Sequence, residues 1–382
     1  MKYRLSDICF YVKEKVAVSV LENTDYVSTE NMIPNKGGIT TATSLPSSFK
    51  TQAYQKHDVL VSNIRPYFKK IWFSDCNGGC SNDVLVFRAK DGTDARFLYY
   101  VLADDAFFDY STATSKGTKM PRGDKTAIMQ YEVPYFDLKT QKKIARILTD
   151  IDYKITLNNN INKNLEQQAQ AYFDELFVVN ADPNWSECTL SDIGSVVAGG
   201  TPSKSKPEYY ADQGIAWITP KDLSVNKSKF ISHGENDISE LGFSKSSAAK
   251  MPAGTILFSS RAPIGYIAIA QNEVTTNQGF KSVIPNENIS TSYMYFLLKN
   301  LLPTIEGMAS GSTFKEISGA AMKSVPTVMP DADTIQLFSS FCEPVFNEQE
   351  ILEAENQRLS ALRDSLLPKL MSGELDVSNI EL

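Results

Sequence analysis

Two segments of this chain each hold one arginine and one proline in a turn between apolar runs: SNIRPYFKKIWF at 62–73 and SSRAPIGYIAIA at 259–270. A guanidinium held in a turn is a planar fork of donors that matches the O6 and N7 acceptors of guanine; Asn and Gln amides match adenine in the same way, and Lys mostly neutralises phosphate. Arg65, Tyr67, Lys69 and Lys70 surround the first turn, and the loop SKGTKMPRGDK at 115–125 adds Lys116, Lys119, Arg122 and Lys125. In the second half, Thr201, Ser203, Lys204 and Lys206 form a Gly/Ser/Lys loop. Lys221, Arg261, Asn277, Gln278, Ser312, Thr313 and Lys315 lie in repeat-equivalent places. These are the candidate nucleic-acid contacts. A solvated surface gives a lysine the same appearance. Asn82 and Asn277, alike in both halves, also suit structural turns.

Other chemistries find little to work with. The only histidines, His57 and His233, have no matched context, so His-based acid/base or zinc chemistry is poorly served. Cys76 and Cys80 are close, yet C-x3-C without a second Cys/His pair reads as free buried thiols. GSVVAGG at 194–200 lacks the G-x-G-x-x-G spacing of a dinucleotide fingerprint. No [DN]-P-P-[YF] tetrapeptide of an amino-methyltransferase occurs. Catalytic, cofactor-binding and metal-ligating residues are therefore expected to be absent.

The two arginine turns belong to a longer repeat. LSDI recurs at 5–8 and 190–193, YVSTENM at 26–32 parallels WITPKDL at 217–223, and Ser81-Asn82 parallels Thr276-Asn277. YEVP at 131–134 matches KSVP at 323–326. The order of parts is conserved throughout, so the chain is two copies of one unit. Short β-branched or aromatic runs such as DVLVS, DVLVF and TILFSS read as strands, and 96–109 and 292–302 read as short core-packing helices.

Each copy closes with a long helical pattern. From Thr140 to Phe177 there is neither Pro nor Gly, and Ile144, Ile151, Asn158, Leu165 and Tyr172 recur every seven residues. The second run, from about Thr334 to Lys369, repeats Phe338, Val345, Leu352, Leu359 and Leu366, with Phe341 and Leu362 between them and Pro368 and Gly373 marking its end. Packing the two seams antiparallel buries both. The expected class is α+β, with two similar β-rich globular domains (1–138 and 181–330) separated by two long antiparallel helices (139–180 and 331–372), a tail at 373–382 and an internal pseudo-two-fold repeat. Asn158 would be a polar seam position that fixes register; a solvated Asn-rich face is the other reading.

The order of globular unit, long helix, globular unit, long helix, with VPYFDLKTQKKIARIL at 133–148, TNQGF at 276–280 and LRDSLLPKLMSGEL at 362–375, resembles the specificity subunit of type I restriction-modification systems. The resemblance covers essentially the whole chain. The second lead-in, VPTVMPDADTIQLFSSF at 325–341, departs from the pattern by lacking the basic character of the first. The resemblance implies that each globular part reads one half of a bipartite double-stranded DNA site and that the helices set the gap. It also implies that they dock two methyltransferase subunits, which bring S-adenosylmethionine, and that restriction subunits using ATP and Mg2+ can join. This chain itself would do no chemistry.

Charge is uneven. The net charge is −7, with 3 basic and 11 acidic residues in 331–382, whereas 1–139 carries 18 basic and 16 acidic. The acidity thus lies outside the proposed reading domains, and the isolated chain is expected to grip phosphate weakly. With no apolar stretch long enough to span a bilayer and no N-terminal apolar h-region, a cytoplasmic protein without membrane contact is expected. Two other classes fit parts of the pattern: a tandem-domain interaction scaffold, and a self-contained nuclease or methyltransferase.

Overall fold

The structure is a computed structural model that describes residues 2–261, 263–311, 315–377 and 380. The chain forms two compact units: Met1–Thr156 with Gln357–Leu382, and Leu157–Asn356.

The first unit is closed at its base by Lys2–Arg4, which pairs antiparallel with Glu132–Pro134. Its central antiparallel sheet has the order Cys9–Tyr11, Val84–Ala89, Val59–Ser62, Ile71–Phe73. Side chains of successive strand residues alternate between faces, and both faces are covered. Val59, Val61, Ile71, Leu85 and Phe87 join Leu98, Leu102 and Phe107 in one core. Leu60, Val84 and Val86 meet Val27, Tyr54 and Cys80 of a second sheet. That double burial is why DVLVS and DVLVF are continuous apolar runs rather than alternating ones. The second sheet has the order Lys15–Ala17, Lys50–Tyr54, Gly78–Cys80, Tyr26–Val27, the last pair parallel.

The second unit repeats the plan. Ser186–Thr189 pairs with Pro326–Met329. The main sheet runs Gly194–Ala198, Lys281–Pro285, Ile256–Ser260, Ile264–Ala270, Phe230–Ile231. Again one face (Ile256, Phe258, Ile269, Val283) packs on helices and the other (Leu257, Ala268, Ala270) on a smaller sheet. The smaller sheet also ends in a parallel pair, Ile215–Ile218 with Thr275–Thr276.

The first expected short helix is split into Ala95–Ala103 and Asp105–Ala113, while the second is Thr291–Asn300, followed by a further helix Leu302–Met308. That break is a capping event, because the Asp104 carboxylate accepts the Ala106 N–H at 3.1 Å and starts a new helix.

The long helices are Leu138–Asp174, continued by a π turn at Glu175–Val179, and Ala332–Ser372. At ~1.5 Å per residue they span roughly 55 and 60 Å. Each is started by an aspartate: Asp137 accepts the Thr140 N–H at 2.7 Å, and Asp331 accepts that of Thr334 at 2.8 Å. Pro368 does not end the second helix, contrary to the sequence reading. The helix passes through Pro344 and Pro368, both exposed, and stops at Gly373, whose φ of +78° provides a left-handed exit.

Within each unit the two helices run antiparallel. In the first, Ile144 and Leu148 share a core with Leu367, Leu370 and Met371, and Arg363 donates to Asp152 at 2.9 Å. In the second, Ala169 and Phe173 pack with Phe338, Cys342 and Phe346, while Asn158, fully buried, donates to Glu355 at 2.7 Å and Asn356 at 3.0 Å. Leu352 is buried; Ile151, Leu165, Tyr172, Val345, Leu359 and Leu366 are half-buried. Phe341 and Leu362 are not interior seam residues, since 38% and 46% of their surfaces stay exposed. The positions between the sevens are filled instead by Cys342, Gln349, Asn356 and Arg363, three of them polar.

A buried ionic knot joins the second unit's sheet to its helices. Lys229, 8% exposed, pairs with Glu166, donates to Gln349 at 2.7 Å and lies over the Phe346 ring at 4.0 Å. Lys299 donates to the same Glu166 at 2.6 Å, and Glu353 accepts the backbone N–H of Lys229 at 2.9 Å. Burial raises the Glu166 carboxyl, but Lys229 and Lys299 outweigh it and hold the group below the usual carboxylate range. Burial lowers the Lys229 ammonium against the pull of Glu166.

Candidate nucleic-acid interface

In the second unit, the parallel pair Ile215–Ile218 and Thr275–Thr276 ends side by side, and the chain leaves it as Thr219-Pro220 and Asn277-Gln278. A cavity of about 660 Å3 opens at that end. It gathers Thr201, Lys204, Lys221, Arg261, Asn277 and Gln278, six of the sequence-predicted contacts, around Tyr210 and Trp217. Two glycines let its wall form. A Cβ on Gly199 would come within 1.9 Å of the Asn277 carbonyl oxygen, so only glycine permits this approach. The Gly200 N–H donates to the Thr276 carbonyl at 2.9 Å, and Trp217 Nε1 donates to the Gly200 carbonyl at 2.9 Å. GSVVAGG, without the spacing of a dinucleotide fingerprint, therefore has a packing role.

Hydrogen bonds separate the cavity's structural groups from its free ones. Asp222 is occupied: it accepts from Thr219 Oγ1 at 2.6 Å and from the Glu235 N–H at 2.9 Å. Asn277 Oδ1 accepts the Gly279 N–H at 2.8 Å, an Asx turn that leaves its NH2 group outward. Lys221 pairs with Glu235, and Arg261 is held at 3.5 Å from Glu316. Gln278 and Lys204 are exposed and make no such pair among the described residues. Ser203 contacts Ser205 at 2.9 Å and Lys206 lies 3.7 Å from Glu208, both on the loop that carries Lys204. Lys315 is exposed away from the cavity lining, and Ser312 and Thr313 lie outside the described residues.

The first unit has a cavity at the equivalent place, about 430 Å3, where Tyr26–Val27 and Gly78–Cys80 end in parallel. Its lining is different: Ser28, Thr29, Thr40, Thr41, Thr43 and Ser44, with Glu30 and Asp83. None of the contacts expected in this half lines it. Two of them, Arg122 and Lys70, bond to residues that do. The Arg65 N–H donates to the Pro121 carbonyl at 2.8 Å, joining the proline turn to the Gly117 loop. Arg122 pairs with the cavity's Asp83 at 3.0 Å, and Lys70 donates to the Thr29 carbonyl at 2.6 Å. Lys116 is held by Asp124, whose carboxyl it keeps below the usual range. Lys69 points elsewhere, to Asp105 at 3.0 Å. Lys119 and Lys125 are exposed, and Tyr67 is half exposed against Phe68.

Strand register corrects one reading. Ile64 bridges Arg122 whereas Arg261 bridges Glu316, so Arg261 occupies the place of Ile64. Arg65 lies one residue further on, in the left-handed region at φ 50°. The two arginines are not repeat-equivalent, and the opposing loop residue changes sign between the units.

Among the described residues no group of three or more His, Cys, Asp and Glu could hold a metal ion. Asp58, 1% exposed, is held by Arg88 at 2.8 Å, and burial pushes the Cys80 thiol up to about 12.

A family model described as type I restriction modification DNA specificity domain matches residues 1–167 and again 183–361. The chain belongs to that family. The double match falls on the two copies of the internal repeat. A type I restriction enzyme specificity subunit from Methanocaldococcus jannaschii is 38% identical over 190 residues, 47% of this chain and 44% of that relative. The specificity subunit of the HindI enzyme from Haemophilus influenzae is 25% identical across 98% of this chain and 99% of its own. The crystal structure of a specificity subunit from M. genitalium shares the fold at TM-score 0.61 and 18% identity, covering 99% of this chain and 96% of that one. As a specificity subunit of this family, the chain is the DNA-recognition component and not the catalytic one.

Proposed function

We propose that each unit reads one half of a split double-stranded DNA sequence through the cavity at the end of its parallel strand pair. The carrying observation is that one scaffold presents two different linings. Three cations, three amides and two aromatics join two carboxylates in the second unit's cavity, whereas the first unit's lining is mostly hydroxyls with two carboxylates and carries no Lys or Arg. Donor-rich and acceptor-rich surfaces suit different base edges, since Arg and Gln favour purines while Glu and Asp accept from cytosine N4. The long helices set the gap and dock two methyltransferase subunits, which bring S-adenosylmethionine; restriction subunits with ATP and Mg2+ complete a restricting complex. Among the described residues no helix is long and apolar enough to cross a membrane, and the work belongs in the cytoplasm where the DNA is.

Single-molecule sequencing of genomic DNA tests this reading, comparing cells that express this chain with its methyltransferase and cells with the methyltransferase alone. Methyladenine at a split motif only when this chain is present is the expected result. An assembled, active complex that marks no motif would favour the scaffold reading.

A further inference from the structure

The first unit carries an aromatic side chain that its core does not use. Phe49 is 92% exposed. Apolar residues scattered singly on a surface are ordinary, but Phe49 differs in how it is held. Its carbonyl accepts the Val18 N–H at 3.1 Å, Ser48 Oγ donates to the Lys50 carbonyl at 3.2 Å, and the strand Lys50–Tyr54 starts immediately after it. The backbone is clamped while the ring stands in solvent.

Its position is also informative. Gln52 pairs with Cys80 in antiparallel register, so the chain before Gln52 and the chain after Cys80 emerge at the same end of the sheet. Ser81 and Asp83 line the polar cavity at that end, and residues 40–46 of the loop leading to Phe49 form another wall. Lys50, exposed and with no ion pair among the described residues, follows Phe49 at the start of the strand. A ring held by its backbone at the rim of a polar cavity, with an exposed lysine following it in the chain, fits a stacked base and a nearby phosphate better than an apolar protein surface. Val20, two residues beyond the Val18 that binds the Phe49 carbonyl, is 69% exposed, and the cavity wall beside it is mostly polar, which does not make a protein interface core.

We propose that Phe49 is an aromatic wedge that leans into a base step of the DNA bound by the first unit. This rests on the DNA reading above and adds to it a contact made to the stack rather than to base edges. The test uses the complete chain assembled with its methyltransferase and duplexes containing the methylated motif, with 2-aminopurine placed in turn at each step in and beside the half-site read by the first unit. For the wild type, fluorescence should rise at one step. Phe49→Ala should abolish that rise and weaken binding about tenfold, Phe49→Trp should restore both, and the melting temperature should not move. Wild-type affinity and an unchanged fluorescence pattern in Phe49→Ala would overturn the wedge while leaving sequence reading intact. Loss of methyltransferase from Phe49→Ala preparations, with DNA binding otherwise unchanged, would overturn it by making Phe49 a protein contact. A wild-type complex that marks no motif would overturn the DNA reading and the wedge together.

Discussion

Gln278 and Arg261 differ in what their surroundings leave them free to do. Gln278 has no side-chain partner among the described residues, so its amide can give both bonds to a purine edge. Arg261 must loosen a 3.5 Å contact with Glu316. Replacing Gln278 with Ala should therefore relax the methylated motif at one position of the second half-site, with a discrimination loss of about 1–3 kcal/mol. Lys204→Ala should instead weaken all sequences alike and flatten the salt dependence by about one phosphate's worth. Methylated-motif sequencing and anisotropy titrations against salt distinguish the two. Most of the second cavity was legible in the sequence because its groups are long cations and amides in glycine-flanked loops. The first cavity was not. Its lining is Thr40, Thr41, Thr43 and Ser44 with Glu30 and Asp83, short side chains whose pattern is that of any solvated loop, and only the parallel between YVSTENM and WITPKDL marked the place.

Glu166 has the most to lose among the elements' joining residues, because two lysines converge on it, one of them buried. Glu166→Gln leaves Lys229 with a weaker partner inside an aromatic box, and an uncompensated buried charge costs about 3 kcal/mol. A lower apparent melting temperature of the second unit is expected, read by limited proteolysis during a thermal ramp. The pH dependence follows from the direction of the shift. Glu166 titrates lower in the folded state than in the unfolded chain, so its contribution is fully present above the ordinary carboxylate pKa of about 4.3 and is lost as pH falls through the folded value. Acid should release this joint, and the Gln variant should lack that component of the acid transition. The helices themselves were readable from their sevenfold apolar repeat. Their ends were less so: the capping roles of Asp137 and Asp331 went unnoticed, and a proline on an exposed helix face leaves no trace in a hydrophobic pattern that distinguishes passage from termination.

The distribution of charge matters at the level of the molecule. Both reading units are close to neutral, several of their cations are committed to Asp83, Asp105, Asp124, Glu235 and Glu316, and the second helix and tail are acidic. The pure chain should bind a duplex weakly, and its slope of log affinity on log salt should correspond to only a few neutralised phosphates at about 0.9 each. A steep slope and tight binding by fluorescence anisotropy would contradict this division of labour. The short antiparallel pairs at the base of each unit, Lys2–Arg4 with Glu132–Pro134 and Ser186–Thr189 with Pro326–Met329, have a different kind of consequence. Because the chain enters and leaves each globular part through neighbouring strands, everything between them forms a cassette. A foreign cassette closed by the same two strands could replace it without altering the span between its ends, so new DNA words can be acquired by recombination at those seams while the helices stay as they are.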